Sequence, residues 1–186
     1  MMTFRVRCEA GDVQPGIRIE PGIRPTRVDV RMVPIDIVAI GDPATLQGAL
    51  NIRGGLLDGL RTVGAKRVAL ATAYTDEVTA RLKIFLEEYG FTVTSAKGLG
   101  FVNIPDGAAT HDILFKLGSE AYAQSKKADA LVMSCGRLET LNLLVPLETQ
   151  IKAPVVSSTP HGLMNGVRLL GVSPKATGFG SVFAKA

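Results

Sequence analysis

The stretch from Arg67 to Gly90, RVALATAYTDEVTARLKIFLEEYG, decides the fold class. It opens with a continuous apolar run up to Tyr74, which is typical of a strand buried on both faces of a parallel sheet. Thr75 then offers a helix N-cap, and Asp76 and Glu77 place negative charge in the first helical turn. The apolar residues that recur behind them at helical spacing are Val78, Leu82, Phe85 and Leu86. The stretch therefore predicts a buried strand followed by an amphipathic helix that ends at Gly90.

The same alternation of strand and helix extends in both directions from this unit. A preceding helix, ALNIRGGLLDGLRTVGA, is predicted to end at Gly64. The later predicted strands are FTVTSA, ADALVMS and APVVSS, and the later helices are THDILFKLGSEAYAQSKK, LETLNLLVPLETQI and PHGLMNGVRLLG. Strict alternation with short connections predicts an α/β fold with a parallel sheet flanked by helices. In such sheets ligands bind beyond the carboxyl ends of the strands.

The first residues have a different character. They hold five of the ten prolines of the chain and a repeated Pro-Gly-Ile-Arg motif, which breaks both helical and strand periodicity. One strand is predicted here, from Ile35 to Ile40. We therefore divide the chain into a Pro/Gly-rich segment, 1–48, and an α/β lobe, 49–186.

Composition and charge exclude several classes of protein. The net charge is +4, but the cations form no stripe, Trp is absent and aromatic residues make up 5% of the chain, so a nucleic-acid partner is not expected. No apolar run approaches the roughly 20 residues of a membrane-spanning helix. With no leader-like N-terminus, we expect a cytoplasmic protein with no membrane partner.

Cys135 is the first candidate for a reactive group. The chain has two cysteines, Cys8 and Cys135, whose spacing predicts neither a disulfide framework nor a metal site. Cys135 follows the third predicted strand and precedes a predicted helix, whose unpaired N–H groups attract negative charge. The alternative interpretation is that Cys135 packs in the core as a small apolar side chain. Its position alone does not decide between the two.

Tyr74 is the second candidate, at the carboxyl end of the first strand. Its hydroxyl is placed to donate to a ligand, although a tyrosine at a strand end also commonly buries its ring and wets its hydroxyl. Ser157 and Ser158 follow the fourth strand as further donors or as helix caps. His111 and His161 lack a nearby acid and nucleophile and are interpreted as structural or solvated.

Three segments together resemble a known family. GAKRVALATAYTDEVTARLKIFLEEYGF, ADALVMSCGRLETLNLLVPLE and APVVSSTPHGLMNGVRLLG are similar in order and spacing to the C-terminal lobe of the arylmalonate decarboxylases. These belong to the aspartate/glutamate racemase superfamily, which also contains maleate cis-trans isomerases. Ser134-Cys135-Gly136, with Leu138 and Thr140-Leu141, resembles the decarboxylase pattern more than that of the isomerases.

The resemblance implies a two-lobed fold with the active site between the lobes and with neither metal nor organic cofactor. The substrate would be a small dicarboxylate that loses one carboxyl group as carbon dioxide. Carried over by position, Cys135 would protonate the resulting enediolate. Tyr74 and the Gly136 N–H would bind the retained carboxylate, and Ile104 would line an apolar pocket.

The N-terminal region departs from the family pattern. The resemblance implies a first lobe of about a hundred residues that supplies further carboxylate donors, and here about fifty precede the matched region. Gly41-Asp42-Pro43 is the nearest counterpart, and it offers a repelling carboxylate and an imide nitrogen without hydrogen. Three interpretations stay open: a decarboxylase, a racemase or cis-trans isomerase, and an inactive truncated paralogue. An apolar face left where a first lobe would pack favours a homodimer.

Overall fold

A computed structural model describes residues 52–135, 138–169 and 172–186 of the chain. In chain order its elements are α1 (Ile52–Thr62), β1 (Arg67–Tyr74), α2 (Asp76–Glu88), β2 (Thr92–Phe101), α3 (His111–Ala123), β3 (Ala130–Ser134), a single 3-10 turn (Leu141–Leu143), α4 (Leu144–Ile151), β4 (Val155–Ser157), α5 (Ser158–Leu169) and α6 (Ser181–Lys185). The predicted alternation of strands and helices is confirmed. The predicted segment 1–48, with its strand at Ile35–Ile40, lies outside the described residues, so the division at residue 48 stays a prediction.

The four described strands form one parallel sheet in the order β2-β1-β3-β4. The two central strands, β1 and β3, are buried over almost their whole length. Successive residues of a strand point to opposite faces. Thus Val68 and Leu70 of β1 pack into one core cluster, while Ala69 and Ala71 pack into the other. The predicted parallel sheet flanked by helices is therefore confirmed.

The helix after β1 begins as predicted but presents a different residue to the core. Thr75 caps α2, and its hydroxyl accepts from the Val78 N–H. Val78, predicted on the buried face, is 42% exposed, so that part of the prediction is wrong. Thr79 is buried in its place, because its hydroxyl lies 2.7 Å from the buried hydroxyl of Thr72 on β1. A satisfied polar pair thus occupies the first turn, where an apolar contact was expected.

Close packing of α1 fixes the start of α5. A side-chain carbon added to Gly55 would lie 2.4 Å from the backbone nitrogen of Gly162, which is closer than any real contact. Glycine is therefore required at position 55 for the two helix backbones to meet. The result is that the first turns of α5 are held at a defined distance from α1.

The last strand is short, and side chains satisfy the outward groups of its backbone. The Val155 N–H donates to Oε1 of Glu148 at 3.0 Å, and the same carboxylate accepts from the N–H and hydroxyl of Ser181 at the start of α6. One carboxylate on α4 therefore ties β4 to α6. In the part of the chain that the structure describes, no helix combines the length and the apolar character needed to cross a bilayer.

Candidate active site

Cys135 lies at the carboxyl end of the central strand β3. Its side chain belongs to the core cluster on the face covered by α3 and α4, and the residue is 9% exposed. Ser134, just before it, pairs with Thr72 of the neighbouring β1. Because the strands are parallel, Tyr74 at the end of β1 reaches the same edge of the sheet two residues later. The structure therefore brings the predicted Cys135 and Tyr74 to one edge.

Ile104 joins the same cluster from the loop after β2. Ile104 and Tyr74 are both partly buried and pack against the core cluster that contains Cys135. Three of the four predicted site residues thus share one cluster. The fourth, Gly136, lies outside the described residues, so its carboxylate-binding role stays a prediction. The roles of the other three are also predictions that placement alone leaves untested.

Ile104 lines a pocket of about 340 Å³ between the loop after β2 and the segment before α4. Its wall combines apolar side chains with two carboxylates, those of Asp106 and Glu139. The resemblance implies an apolar pocket at Ile104, whereas this one is of mixed character. A negatively charged ligand would be disfavoured near the acidic part of this wall, so the pocket suits a neutral group better than a carboxylate.

The helix start that contacts Cys135 is a different one from the predicted one. The sequence predicts that Cys135 leads directly into the next helix from Leu138, but Leu138–Thr140 are not helical and the 3-10 turn begins only at Leu141. Instead, the Cys135 N–H donates to the hydroxyl of Ser158, the first residue of α5, at 3.3 Å. The physical reason is that β4 passes into α5 with no connecting loop, which brings that helix start level with the end of β3.

A second contact holds the far end of the same loop. The hydroxyls of Thr140 and Ser157 lie 2.6 Å apart, and both residues are buried. Sequence reasoning assigned no role to the Thr140 side chain, because its partner lies 17 residues further along the chain. The signals were Thr140 itself, as part of the decarboxylase-like pattern, and the pair of serines after a buried strand, which we interpreted as donors or caps.

His161 completes this buried polar group from one turn into α5. Its Nδ1 lies 2.8 Å from both the backbone nitrogen and the backbone oxygen of Ser157. Burial disfavours the charged ring and lowers the pKa of His161 from 6.5 to about 4, although the hydrogen bond to Ser157 opposes the shift. His161 is therefore neutral at pH 7, and the structural interpretation is the one that its burial supports.

The described residues contain no group of three or more His, Cys, Asp or Glu side chains placed to hold a metal ion. The candidate site of the described lobe is thus a thiol, a phenol and several hydroxyls at one edge of a sheet. Chemically, the phenol can donate a hydrogen bond to an anion and the thiol can exchange a proton with it, while the buried hydroxyls pair with protein groups.

Comparison with known proteins places these residues in context. The family model described as arylmalonate decarboxylase matches residues 42–183. The arylmalonate decarboxylase of Bordetella bronchiseptica is 39% identical over 130 residues, which cover 69% of this chain and 54% of that protein. A crystal structure of arylmalonate decarboxylase superimposes with a TM-score of 0.63 at 38% identity, covering 73% of this chain and 59% of the other.

A second kind of relative carries a different activity. A structure of the C194S mutant of the Nocardia farcinica maleate cis-trans isomerase, which holds a covalently bound succinylcysteine intermediate, superimposes with a TM-score of 0.62 at 26% identity. It covers 72% of this chain and 54% of that one. The chain spans about half the length of the curated relatives that it matches.

Proposed function

Since the chain belongs to the arylmalonate decarboxylase family, we propose that it decarboxylates an arylmalonate-type dicarboxylic acid without a cofactor and that Cys135 is the proton donor. The observation that supports this most is the position of Cys135 at the carboxyl end of β3, in one cluster with Tyr74 and Ile104. That edge is where parallel sheets bind their ligands.

The main requirement of this reaction is the stabilisation of an anionic intermediate, and no cofactor takes part. The bond between the α-carbon and one carboxylate breaks, carbon dioxide leaves, and the electron pair is delocalised into the retained carboxylate as an enediolate. Tyr74 and the Gly136 N–H donate hydrogen bonds to this group, whose negative charge grows in the transition state. Preorganised donors of this kind are usually the largest single contribution to catalysis.

Protonation then completes the reaction. The Cys135 thiol gives its proton to the α-carbon and becomes a thiolate, which recovers a proton from solvent before the next turnover. The product is a monocarboxylic acid. Because the thiol is fixed at the end of β3, it can approach the planar intermediate from one side only, which confines proton delivery to one face.

The test is carbon dioxide release from phenylmalonate by the 186-residue protein beside its Cys135→Ser variant. We expect release by the parent protein and a loss of at least about a hundredfold in kcat for the variant, with circular dichroism unchanged. Cys8→Ser is the matched control and should retain activity. Equal turnover by the Cys135→Ser variant would remove the proposed role of the thiol.

A cis-trans isomerase is the second candidate, favoured by the structural similarity to the Nocardia farcinica enzyme and its succinylcysteine intermediate. In that case Cys135 would add to the double bond of maleate, rotation would follow, and elimination would release fumarate. Conversion of maleate to fumarate together with a covalent adduct on Cys135, seen by mass spectrometry, would support it. Against it stands the lack of a second cysteine in the matched segments, since Cys8 is the only other one.

A folded protein that performs neither reaction would support the third interpretation, an inactive single-lobe paralogue. The same preparation tests the expected homodimer, because sedimentation equilibrium gives the mass of the particle directly. A monomer without either activity would indicate that the remaining carboxylate donors must come from outside this lobe.

A further inference from the structure

We propose that the corner between β4 and α5 is the positioning device of Cys135, and that Thr140 is its second point of attachment. Ser157, Ser158 and His161 form this corner, which holds both ends of the loop 135–140. The inference rests on the proposed function, because it assigns Cys135 a reactive role. It concerns residues that touch the loop rather than the substrate.

The first attachment is at Cys135 itself. Its backbone N–H donates to the hydroxyl of Ser158, which is fully buried and is the first residue of α5. The position of this hydroxyl is set by the helix, and the helix is set by its close contact with α1 at Gly55. The residue that bears the thiol is therefore tied to a rigid element.

The second attachment is five residues later. The hydroxyl of Thr140 meets that of Ser157 at 2.6 Å, and both residues are at most 2% exposed. Ser157 and Ser158 are consecutive, so the two ends of the loop are fastened to neighbouring residues. Burial at this level keeps Thr140 and Ser157 away from any substrate, so their effect on catalysis passes through the loop.

His161 holds the corner in place. Its Nδ1 lies 2.8 Å from both the backbone nitrogen and the backbone oxygen of Ser157, and β4 is an edge strand among the strands that the structure describes. The imidazole packs against the ring of Phe183 of α6, with ring centroids 5.1 Å apart. The histidine thus supplies the hydrogen bond that a further strand would otherwise supply to Ser157.

A general acid must lie within hydrogen-bond distance of the atom that it protonates, and a misplacement of about 1 Å can cost roughly a hundredfold in rate. Loosening the loop should therefore reduce kcat and, because the same loop carries the proposed Gly136 donor, reduce kcat/KM as well. It should also make the thiol more accessible, because Thr140 is linked to Cys135 through Leu138: the Leu138 N–H donates to the Cys135 carbonyl at 3.2 Å, and the Thr140 N–H donates to the Leu138 carbonyl at 3.0 Å.

The experiment uses the full chain with Cys8→Ser, so that Cys135 is its only thiol. Thr140→Val removes the hydroxyl but keeps the shape of the side chain. The matched control is Thr94→Val, since the Thr94 hydroxyl also lies 2.6 Å from a serine hydroxyl, that of Ser125, towards the other end of the sheet. Thr140→Ser restores the hydroxyl.

Two readouts are taken from each variant. We expect Thr140→Val to lower kcat for carbon dioxide release about tenfold and to speed alkylation of Cys135 by iodoacetamide about fivefold, the latter matching the loss of one buried hydrogen bond. Thr140→Ser should recover both values, and Thr94→Val should change neither at equal folded fraction.

Alkylation also separates this inference from the proposed function. If no variant releases carbon dioxide but Thr140→Val still accelerates alkylation and Thr140→Ser reverses it, the attachment stands and the decarboxylase proposal fails. If alkylation in Thr140→Val equals that in Thr94→Val at the same folded fraction, the positioning role is overturned. If Thr140→Val does not fold, Ser158→Ala provides the same comparison at the other attachment.

Discussion

The amino end of the sheet, where Asp129 lies, and the carboxyl end, where Cys135 lies, hold their loops with different chemical groups. At the amino end the exposed Asp129 carboxylate accepts hydrogen bonds from the N–H groups of Lys66 and Arg67 at 3.0 and 2.8 Å. The guanidinium of Arg67 also donates to the carbonyl of Lys126. Charged groups therefore do much of the fastening at this end.

At the carboxyl end the fastening groups around Cys135 are neutral and buried. They are the hydroxyls of Thr140, Ser157 and Ser158 and the uncharged ring of His161. A carboxylate in this role would repel a dicarboxylate substrate, whereas a hydroxyl holds a backbone without adding charge. The difference teaches that the groups that hold the loop at Cys135 carry no charge, whereas a carboxylate and a guanidinium hold the loops at the amino end.

Acidification should cause the largest loss in the free energy of unfolding, and the loss should come from His161 at the carboxyl end of the sheet. The pKa of His161 lies near 4 in the folded protein because burial penalises the imidazolium, against 6.5 ordinarily. As the pH falls below 6.5 the unfolded chain binds the proton first, so this stability is lost between pH 6.5 and pH 4, with a loss of about 2 kcal/mol by pH 4.5. Urea unfolding at about pH 7 and about pH 4.5 measures this loss.

The control for that experiment is the other histidine. His111→Asn should leave the loss between the two pH values unchanged, because His111 is largely exposed. His161→Asn, which keeps an amide near the Nδ1 position, should remove most of it. An unchanged pH dependence in His161→Asn would show that groups at the amino end dominate instead.

Gly98→Ala should have the next largest effect, again at the carboxyl end. A side-chain carbon there would lie 2.6 Å from the Tyr74 carbonyl oxygen, and backbone cannot move aside cheaply. We expect a loss of about 2 kcal/mol in the free energy of unfolding. Gly118→Ala is the comparison, since its nearest atoms belong to the side chains of Leu131 and Leu147. Thermal unfolding that ranks Gly118→Ala as the more damaging change would contradict this view.

Asp129→Asn should have the smallest effect on the free energy of unfolding. It tests whether the amino end of the sheet contributes to stability without contributing to activity. Hydrogen bonds from the N–H groups of Arg67 and Lys66 lower the pKa of Asp129, so its contribution is present above the ordinary carboxyl pKa and is lost as the pH falls through the folded value. At neutral pH we expect a loss of about 1 kcal/mol, because these groups are solvated. The kcat for carbon dioxide release should be unchanged. A reduced kcat would show that the amino end of the sheet also affects catalysis.

The sequence predicted those parts of the molecule that depend on neighbours along the chain. The buried run to Tyr74, the Thr75 cap and the glycine at the end of the helix each report local backbone geometry, and all three are present. Cys135 and Tyr74 were brought to one edge because parallel strands share their carboxyl ends. This inference needed only the order of the elements.

The remaining features depend on contacts that a linear pattern does not contain. Thr140 stood out only as part of the family pattern, and its hydrogen bond was not predicted because its partner lies across the fold. Val78 was misplaced because the polar pair of Thr72 and Thr79 occupies the buried position. The segment after Cys135 is not helical until the 3-10 turn at Leu141, so the Cys135 backbone contacts the start of α5 instead. The hydrophobic periodicity of the sequence contains no sign of that contact. The role of Gly136 stays a prediction from the resemblance.

The edge of β4 also bears on how copies of this chain behave at high concentration. An open strand edge is a template on which a second chain can add a strand, the first step towards aggregation. Here the outward N–H of Val155 is engaged by Glu148, and that of Ser157 by His161. Among the described strands, the histidine that holds the thiol loop therefore also occupies a backbone group at the edge of the sheet, so a variant without it should aggregate more readily and react faster at Cys135.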